Sequence, residues 1–212
     1  MGGMSTKERI IKEASLLFAK KGYGAVGVEE IAEAVGIKAP SLYKHYKGKQ
    51  EIFDAVMQEM KQRYDRSMTA LQMDGHDGKA DAALFENTTE DQLVQLGMDL
   101  FGFLLHDEYA GNFRKLLTTE QHRDGEMASL YTKQYVDDPL SYQSTLFALL
   151  SRAGALRHCD AQTMALHFYG PIFLLLSVCD CHPEREAEAQ KMVEQHIRQF
   201  AMLYRGGNEN NG

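Results

Sequence analysis

Near the start of the chain, Ser41, Lys44 and His45 stand at i, i+3 and i+4, so any helix that contains them presents all three on one face. A hydroxyl, an ammonium and an imidazole side by side can donate to and accept from base edges in a DNA major groove. Lys38, Lys47 and Lys49 flank them and can neutralise phosphates. A second cluster, Cys179-Asp180-Cys181-His182, holds the thiolates and imidazole that bind zinc or copper. Residues two apart on a helix point away from each other, however, so plain structural thiols fit the pattern better, with a redox switch as the next reading. The acids Asp137, Asp138, Glu184, Glu186 and Glu188 read as helix caps and solvated faces. There is no nucleophile–base pair, no phosphate-binding glycine loop and no HExxH. No catalytic residue, metal site or cofactor is therefore expected.

To stand on one face, the three polar residues need a helix, and the sequence supplies one held by two others. Ile10, Ala14, Leu17 and Phe18 form the apolar stripe of a first helix capped by Ser5 or Thr6 and ending at Gly22 and Gly24. Val28, Ile31, Ala32 and Val35 repeat the spacing over two turns, and Gly36 stops that helix. Pro40 opens the third as its first helical residue, running to about Tyr46. The small Ala32 lets the second and third helices approach, Ile37 and Leu42 fill the gap, and Ala39, Ser41, Lys44 and His45 are left facing outward. This is a helix-turn-helix. Its alternative, a purely structural three-helix knot, does not explain why lysines gather around one helix of an acidic protein.

The charge distribution carries the same asymmetry. The chain has 212 residues and a net charge of −7, but residues 1–66 hold 12 basic and 9 acidic side chains (+3), whereas residues 67–212 hold 11 and 21 (−10). Hydrophobic residues make up 44% and charged residues 25%, as in a globular rather than a disordered chain. No N-terminal signal pattern is seen. The longest apolar run, Phe168 to Cys179, is about half of the ~20 residues a membrane span needs, so no membrane partner is expected. Three cysteines make no disulfide framework, which points to a reducing, cytoplasmic setting.

Apolar spacing of three to four continues almost throughout, with no convincing strand. A long fourth helix is expected over Lys49–Gln72. A polar loop or frayed linker should follow over Asp74–Asn87. Further helices are expected from Thr88 or Thr89 onward, around Ala110–Thr119, around Glu126–Val136, from a break at Pro139 with Asp138 as cap to Arg152, from Ala161 to about Asp180, and from Pro183 to about Tyr204. The last residues, 206–212, read as a disordered tail.

The stretch Glu8–Lys49 closely resembles the DNA-binding domain of the tetracycline-repressor (TetR) family. The likeness lies in Ile10-Ile11-Lys12-Glu13-Ala14, Leu17-Phe18, Lys21-Gly22-Tyr23, Ile31-Ala32, Val35-Gly36-Ile37 and Ser41 through Lys49; beyond it, Gly170-Pro171 is similar to many members. The resemblance implies an all-α fold with a helix-turn-helix domain at 1–48 joined by a long helix to an effector-binding and dimerisation domain at 49–205. It also implies a dimeric transcriptional regulator of the repressor type, not an enzyme, which leaves a palindromic double-stranded operator on binding a small molecule. By the same resemblance Tyr43 and Lys49 contact phosphate, and Ala39, Pro40, Ser41, Lys44 and His45 approach bases or the adjacent backbone. Where the family has Ser or Thr capping the second helix, this chain has Gly27, so that hydroxyl contact is not carried over.

In the body, the helix from Ala161 is apolar nearly all round, which requires burial on every side. By the same resemblance Phe168, Ile172 and Leu175, with Val193, Ile197 and Phe200 on the last helix, pair with a second copy as a four-helix bundle, the alternative being a monomeric core. Met60, Tyr64, Phe101, His106, Phe113, Tyr142 and His167 are candidates to line the ligand pocket. No Arg or Lys is expected within the apolar helices, which favours a neutral or cationic ligand over an anionic one. The rival readings are the same fold answering to metal or oxidation through Cys179 and Cys181, and a helical enzyme.

Overall fold

The computed structural model describes residues 4–86 and 88–206. Among them the only β-type pairing is an isolated bridge between Leu156 and Arg205. The rest is helical: α1 (Thr6–Lys21), α2 (Val28–Val35), α3 (Ala39–Leu42), α4 (Lys49–Ala70), α5 (Gly78–Glu86), α6 (Glu90–His106), α7 (Glu108–Glu120), α8 (Gly125–Thr132), α9 (Asp138–Arg152), α10 (Ala161–Cys181) and α11 (Glu186–Tyr204). The fold is all-α, with a helix-turn-helix at its N-terminal end. Two compact units are present, one of residues up to 64 together with 106–131, the other of 65–105 with 132 onward. The expected boundary at residue 49 does not coincide with this division, because α7 packs on α1.

In the first unit, α1 opens with a capping box. Ser5 Oγ accepts from Glu8 N–H at 3.2 Å, and the Glu8 carboxylate accepts from Ser5 N–H at 2.7 Å. Ile10, Ala14 and Phe18 are buried as the stripe requires, while Leu17 is half-buried. Against α1 lies α7, capped by Asp107, with Asn112 donating to Ser15 Oγ at 3.2 Å and Glu108 paired with Lys12 at 3.5 Å. Gly22 has φ +85, a left-handed conformation that favours glycine, and its open side is filled by the Glu120 carboxylate. Arg114 of α7 is 2% exposed, a buried cation that the sequence reading did not anticipate in an apolar helix.

The second unit departs from expectation in three places. The polar stretch after residue 74 is not a linker: it folds into α5. Its acids cap rather than solvate. Asp74 accepts from His76 and Asp77 N–H at 3.0 and 2.6 Å, and Asp81, only 3% exposed, accepts from Asp74 N–H, Gly75 N–H and Tyr142 Oη–H at 2.8, 2.9 and 2.7 Å. Gly78 then packs so closely on α9 that a Cβ would meet the Tyr142 carbonyl at 2.6 Å.

Pro139 is not a break. Residues Lys133–Asp137 form a π-turn in which Asp138 N–H bonds Lys133 O, five residues back, and helix continues on both sides. The wider turn absorbs the proline ring and its missing N–H, which an α-turn cannot do without a kink. Asp138 is therefore no cap; its carboxylate pairs with Lys133 Nζ at 2.7 Å.

α10 runs the full 21 residues from Ala161 to Cys181, long and apolar enough by length and composition to cross a membrane; the expectation had counted only its central run. Asp160 caps it, accepting from Thr163 N–H at 2.8 Å. It packs on α9 and α11, burying Met164, Ala165, Leu175, Leu176 and Cys179. Thr89 and Gln92 form a capping box at the start of α6. Gly206 N–H bonds Ala155 O at 2.9 Å, and the remainder of the expected tail, 207–212, lies outside the described residues.

The end of α4 contains a testable misfit. Met73 N–H bonds Met68 O and Gln72 N–H bonds Thr69 O, the pair of bonds that closes a helix when the residue after its cap turns left-handed. That residue is Gln72, at φ +60. Gly36 occupies the same place at the end of α2, at φ +75. Gln72→Gly should therefore raise stability by about 0.5–1 kcal/mol, read as a higher urea midpoint at unchanged slope; a lower midpoint would contradict this assignment.

Candidate functional site

The helix-turn-helix is built by a closed apolar core around one left-handed turn. Ile31, Ala32, Val35 and Leu42 are 0–2% exposed, with Ile37 half-buried at the turn. Gly36 N–H bonds Glu33 O and Ile37 N–H bonds Ala32 O, both at 2.9 Å, and the Arg9 guanidinium donates to the Val35 carbonyl, tying α1 to the end of α2. Gly27 caps α2 without a side-chain bond, as its lack of a hydroxyl dictates.

α3 is shorter than expected. Ala39, not Pro40, is its first residue, and its regular turns end at Leu42. His45 N–H and Tyr46 N–H still bond Leu42 O, so the chain stays coiled to Tyr46. Outward from this coil stand Lys38, Pro40, Tyr43, Lys44, His45 and Lys47, all exposed, with Ala39 and Ser41 half-buried among them. Lys38, Lys44 and Lys47 form no ion pair among the described residues, so three ammonium groups are free on one surface. Tyr43 is 48% exposed. Beneath, Tyr46 is 3% exposed with its hydroxyl bonded to nothing among the described residues; burial, helped by Glu51, pushes its pKa up to about 12.

Lys49 is placed differently from the rest. Its ammonium donates to the Tyr23 carbonyl at 2.8 Å and lies 4.4 Å from the centre of the Tyr23 ring, so it braces the turn between α1 and α2. Glu51 Oε2 also accepts from Lys47 N–H at 2.5 Å, placing a carboxylate at the start of α4 where a phosphate was expected. Both observations make Lys49 a structural brace that a phosphate would have to share.

In the second unit, a cavity of about 340 Å³ opens between α6, α9, α10 and α11. α6 contributes Leu93, Leu96, Gly97 and Leu100, one stripe at helical spacing, and α9 contributes Tyr142, Gln143, Leu146, Phe147 and Leu150. Phe168 and Phe200 close it, their ring centres 4.9 Å apart. Of the seven expected pocket residues only Tyr142 lines it. Phe101 is 1% exposed in the packed core on the other side of α6, and Phe113 packs on Phe53 in the first unit. Met60 and Tyr64 belong to the first unit, and His106 is exposed. His167, also exposed, pairs with Tyr204 on the α10–α11 surface. Apolar type alone could not separate core from cavity wall.

The expected dimer residues are also relocated. Val193, Ile197, Phe200 and Leu175 are 0–7% exposed within the chain's own core, and Phe168 and Ile172 pack against it, so none of the six forms an open face. The exposed apolar residues of these helices are Leu166 and Leu174 on α10 and Met192, Met202 and Leu203 on α11. Cys159 and Cys181 are exposed and Cys179 is buried; among the described residues no three His, Cys, Asp or Glu side chains gather to hold a metal.

Residues 10–56 match the family model described as "Bacterial regulatory proteins, tetR family". The similarity to the TetR family therefore lies in the helix-turn-helix and the start of α4. Over 202 residues it is 24% identical to the Bacillus subtilis (strain 168) protein named "Probable HTH-type transcriptional regulator YttP", covering 95% of this chain and 89% of that one. Other curated regulators match at 40–48% identity, but only over 46–50 residues, which is 16–26% of their own length. In fold, the chain resembles a Mesorhizobium loti protein described as a "putative TetR-family transcriptional regulator" (TM-score 0.67, 21% identity, 94% and 96% of the two chains). It also resembles a complex of SmeT, the Stenotrophomonas maltophilia efflux-pump repressor, with triclosan (TM-score 0.64, 18% identity, 97% and 94%). The chain is accordingly a DNA-binding transcriptional regulator, and its relatives are regulators rather than enzymes.

Proposed function

We propose that this regulator is a cytoplasmic homodimeric repressor that reads a palindromic operator through α3 and leaves it when a small molecule fills the cavity of the second unit. The observation that carries the reading is the surface of α3 and the coil that continues it to Tyr46: Ser41, Lys44 and His45 at one helical spacing, beside Lys38 and Lys47, which form no ion pair among the described residues, held over a closed core. Lys44, His45 and Ser41 are the base readers, with Ala39 and Pro40 against the adjacent backbone; Tyr43, Lys38 and Lys47 hold phosphates, and Lys49 shares its ammonium with them.

Dimerisation is assigned to the exposed faces of α10 and α11. Only 28% of α10's apolar window is buried within one chain, and a second copy laid across Leu166, Leu174, Met202 and Leu203 would cover the remainder. The cavity supports a ligand by its size and apolar lining, and SmeT, of the same fold, is a repressor with a structure in complex with triclosan. Release is assigned to a latch at its wall. Met73 and Tyr142 line the cavity; Tyr142 bonds Asp81, Asp81 holds the 74–75 turn, and His76 of that turn bonds Asp65 on α4 at 2.7 Å. An occupant that moves Tyr142 or Met73 thus acts on the end of α4, whose other end begins beside α3.

The test is selection from a random double-stranded DNA library with the purified protein. Enrichment of an inverted repeat, with half-sites about one turn or a multiple of it apart (roughly 34–36 Å per turn), is expected. Enrichment of a single unrepeated site would overturn the dimer, and no enrichment at all would overturn operator reading.

A further inference from the structure

The geometry points to an uncharged aromatic alcohol, a phenol-like molecule with one hydroxyl, as the class of effector the cavity takes. This rests on the reading of the cavity as the effector site and adds its chemistry.

Three facts combine. First, one wall is aromatic: Phe147, Phe168 and Phe200 pack in mutual edge and tilted contacts, centres 4.9–5.7 Å apart, and leave a surface on which a further ring can stack or sit edge-on. Second, the charged groups of the lining are paired or face solvent. Glu90 is tied to Arg198 at 3.2 Å, and Glu86 and Arg205 are exposed. The nearby Asp81 already accepts three hydrogen bonds. A charge seated against the aromatic wall, away from the solvent-facing Glu86 and Arg205, would be desolvated there, which is costly.

Third, the uncharged polar side chains of the lining have partners, with one exception. Thr88 donates to Leu84 O, Thr89 is bonded to Gln92, and Tyr142 donates to Asp81. Gln143 alone lines the cavity with an amide that forms no hydrogen bond among the described residues, and its Oε1 is buried. Native proteins rarely leave such a group unpaired. A terminal amide turns easily about its last torsion, so it offers the cavity either an N–H or an oxygen. A hydroxyl, which both donates and accepts, satisfies whichever is presented.

The experiment uses the full chain and two probes that differ only at the oxygen: 2-naphthol and 2-methoxynaphthalene, titrated by their own fluorescence. Wild type should bind the naphthol about tenfold more tightly than its ether, since the ether cannot donate to the amide oxygen. Gln143→Leu, close in volume, should bring the two within about threefold. Leu96→Trp, which fills the cavity from α6, should abolish both. If the two probes bind wild type equally, or Gln143→Leu leaves a tenfold preference intact, the alcohol class is wrong while the cavity stands, provided Leu96→Trp still blocks binding. If Leu96→Trp blocks neither probe, the cavity is not the binding site, and the effector reading falls with this one. Failure of wild type to bind either probe overturns the aromatic-alcohol class.

Discussion

Ile197→Asp should unfold the second unit, whereas Leu174→Asp should leave it folded and break the dimer. Ile197 is 0% exposed, against Val94, Phe101 and Val193 in one apolar cluster, and its Cδ1 lies where a Cβ on Gly97 would be 2.3 Å away. A carboxylate there has no partner and no water. Stranding a charge costs about 3–5 kcal/mol, a large part of the ~5–15 kcal/mol that holds a typical domain together. Leu174 is 64% exposed on α10, so an acid there costs a single chain nothing by burial. Only a partner lying over it would suffer. Circular dichroism in urea and light scattering separate the two effects: a much lower midpoint for Ile197→Asp, and a native-like helical signal with a monomer mass for Leu174→Asp. A dimeric Leu174→Asp variant would move the interface off this face.

Replacing Lys38 and Lys47 together by Ala should flatten the salt dependence of operator binding. Each lost phosphate contact lowers the slope of log affinity against log salt by about 0.9. Two lysines per protomer on two half-sites remove four contacts, a change of about 3–4 in slope. Between about 50 and 200 mM salt the wild type should therefore lose roughly a hundredfold more affinity than the double variant. Neither lysine is paired or buried, so helix content and urea midpoint should stay as in wild type. An unchanged slope would mean that this surface does not meet the phosphate backbone.

The helix-turn-helix is legible in the sequence because it depends on local rules. Gly36 marks a left-handed residue, Ala32 a close crossing, and the i, i+3, i+4 spacing of Ser41, Lys44 and His45 a shared face; each needs only a few neighbouring residues. The body was less so. Leu175, Val193, Ile197 and Phe200 announce burial by their spacing, but not whether their own chain or a second copy buries them. α5 was hidden because Asp74, Asp77 and Asp81 look like solvated acids until the backbone N–H groups they cap are seen. Lys49 likewise shows its charge in the sequence, but not the Tyr23 carbonyl that holds it. The cavity was missed because Leu96 and Leu100 differ from Phe101 only in which side of α6 they occupy.

Base reading by α3 and the turn that follows it rests on Lys44. The direct measurement is a fluorescence-anisotropy titration of the selected operator and of its single-base-pair variants, with wild type, Lys44→Ala and Lys47→Ala. Lys44→Ala should lose discrimination at one base pair in each half-site, by about 1–3 kcal/mol, while still distinguishing the others. Lys47→Ala should weaken binding to every variant alike. If Lys44→Ala ranks the variants as wild type does, the face presented by α3 does not read DNA sequence.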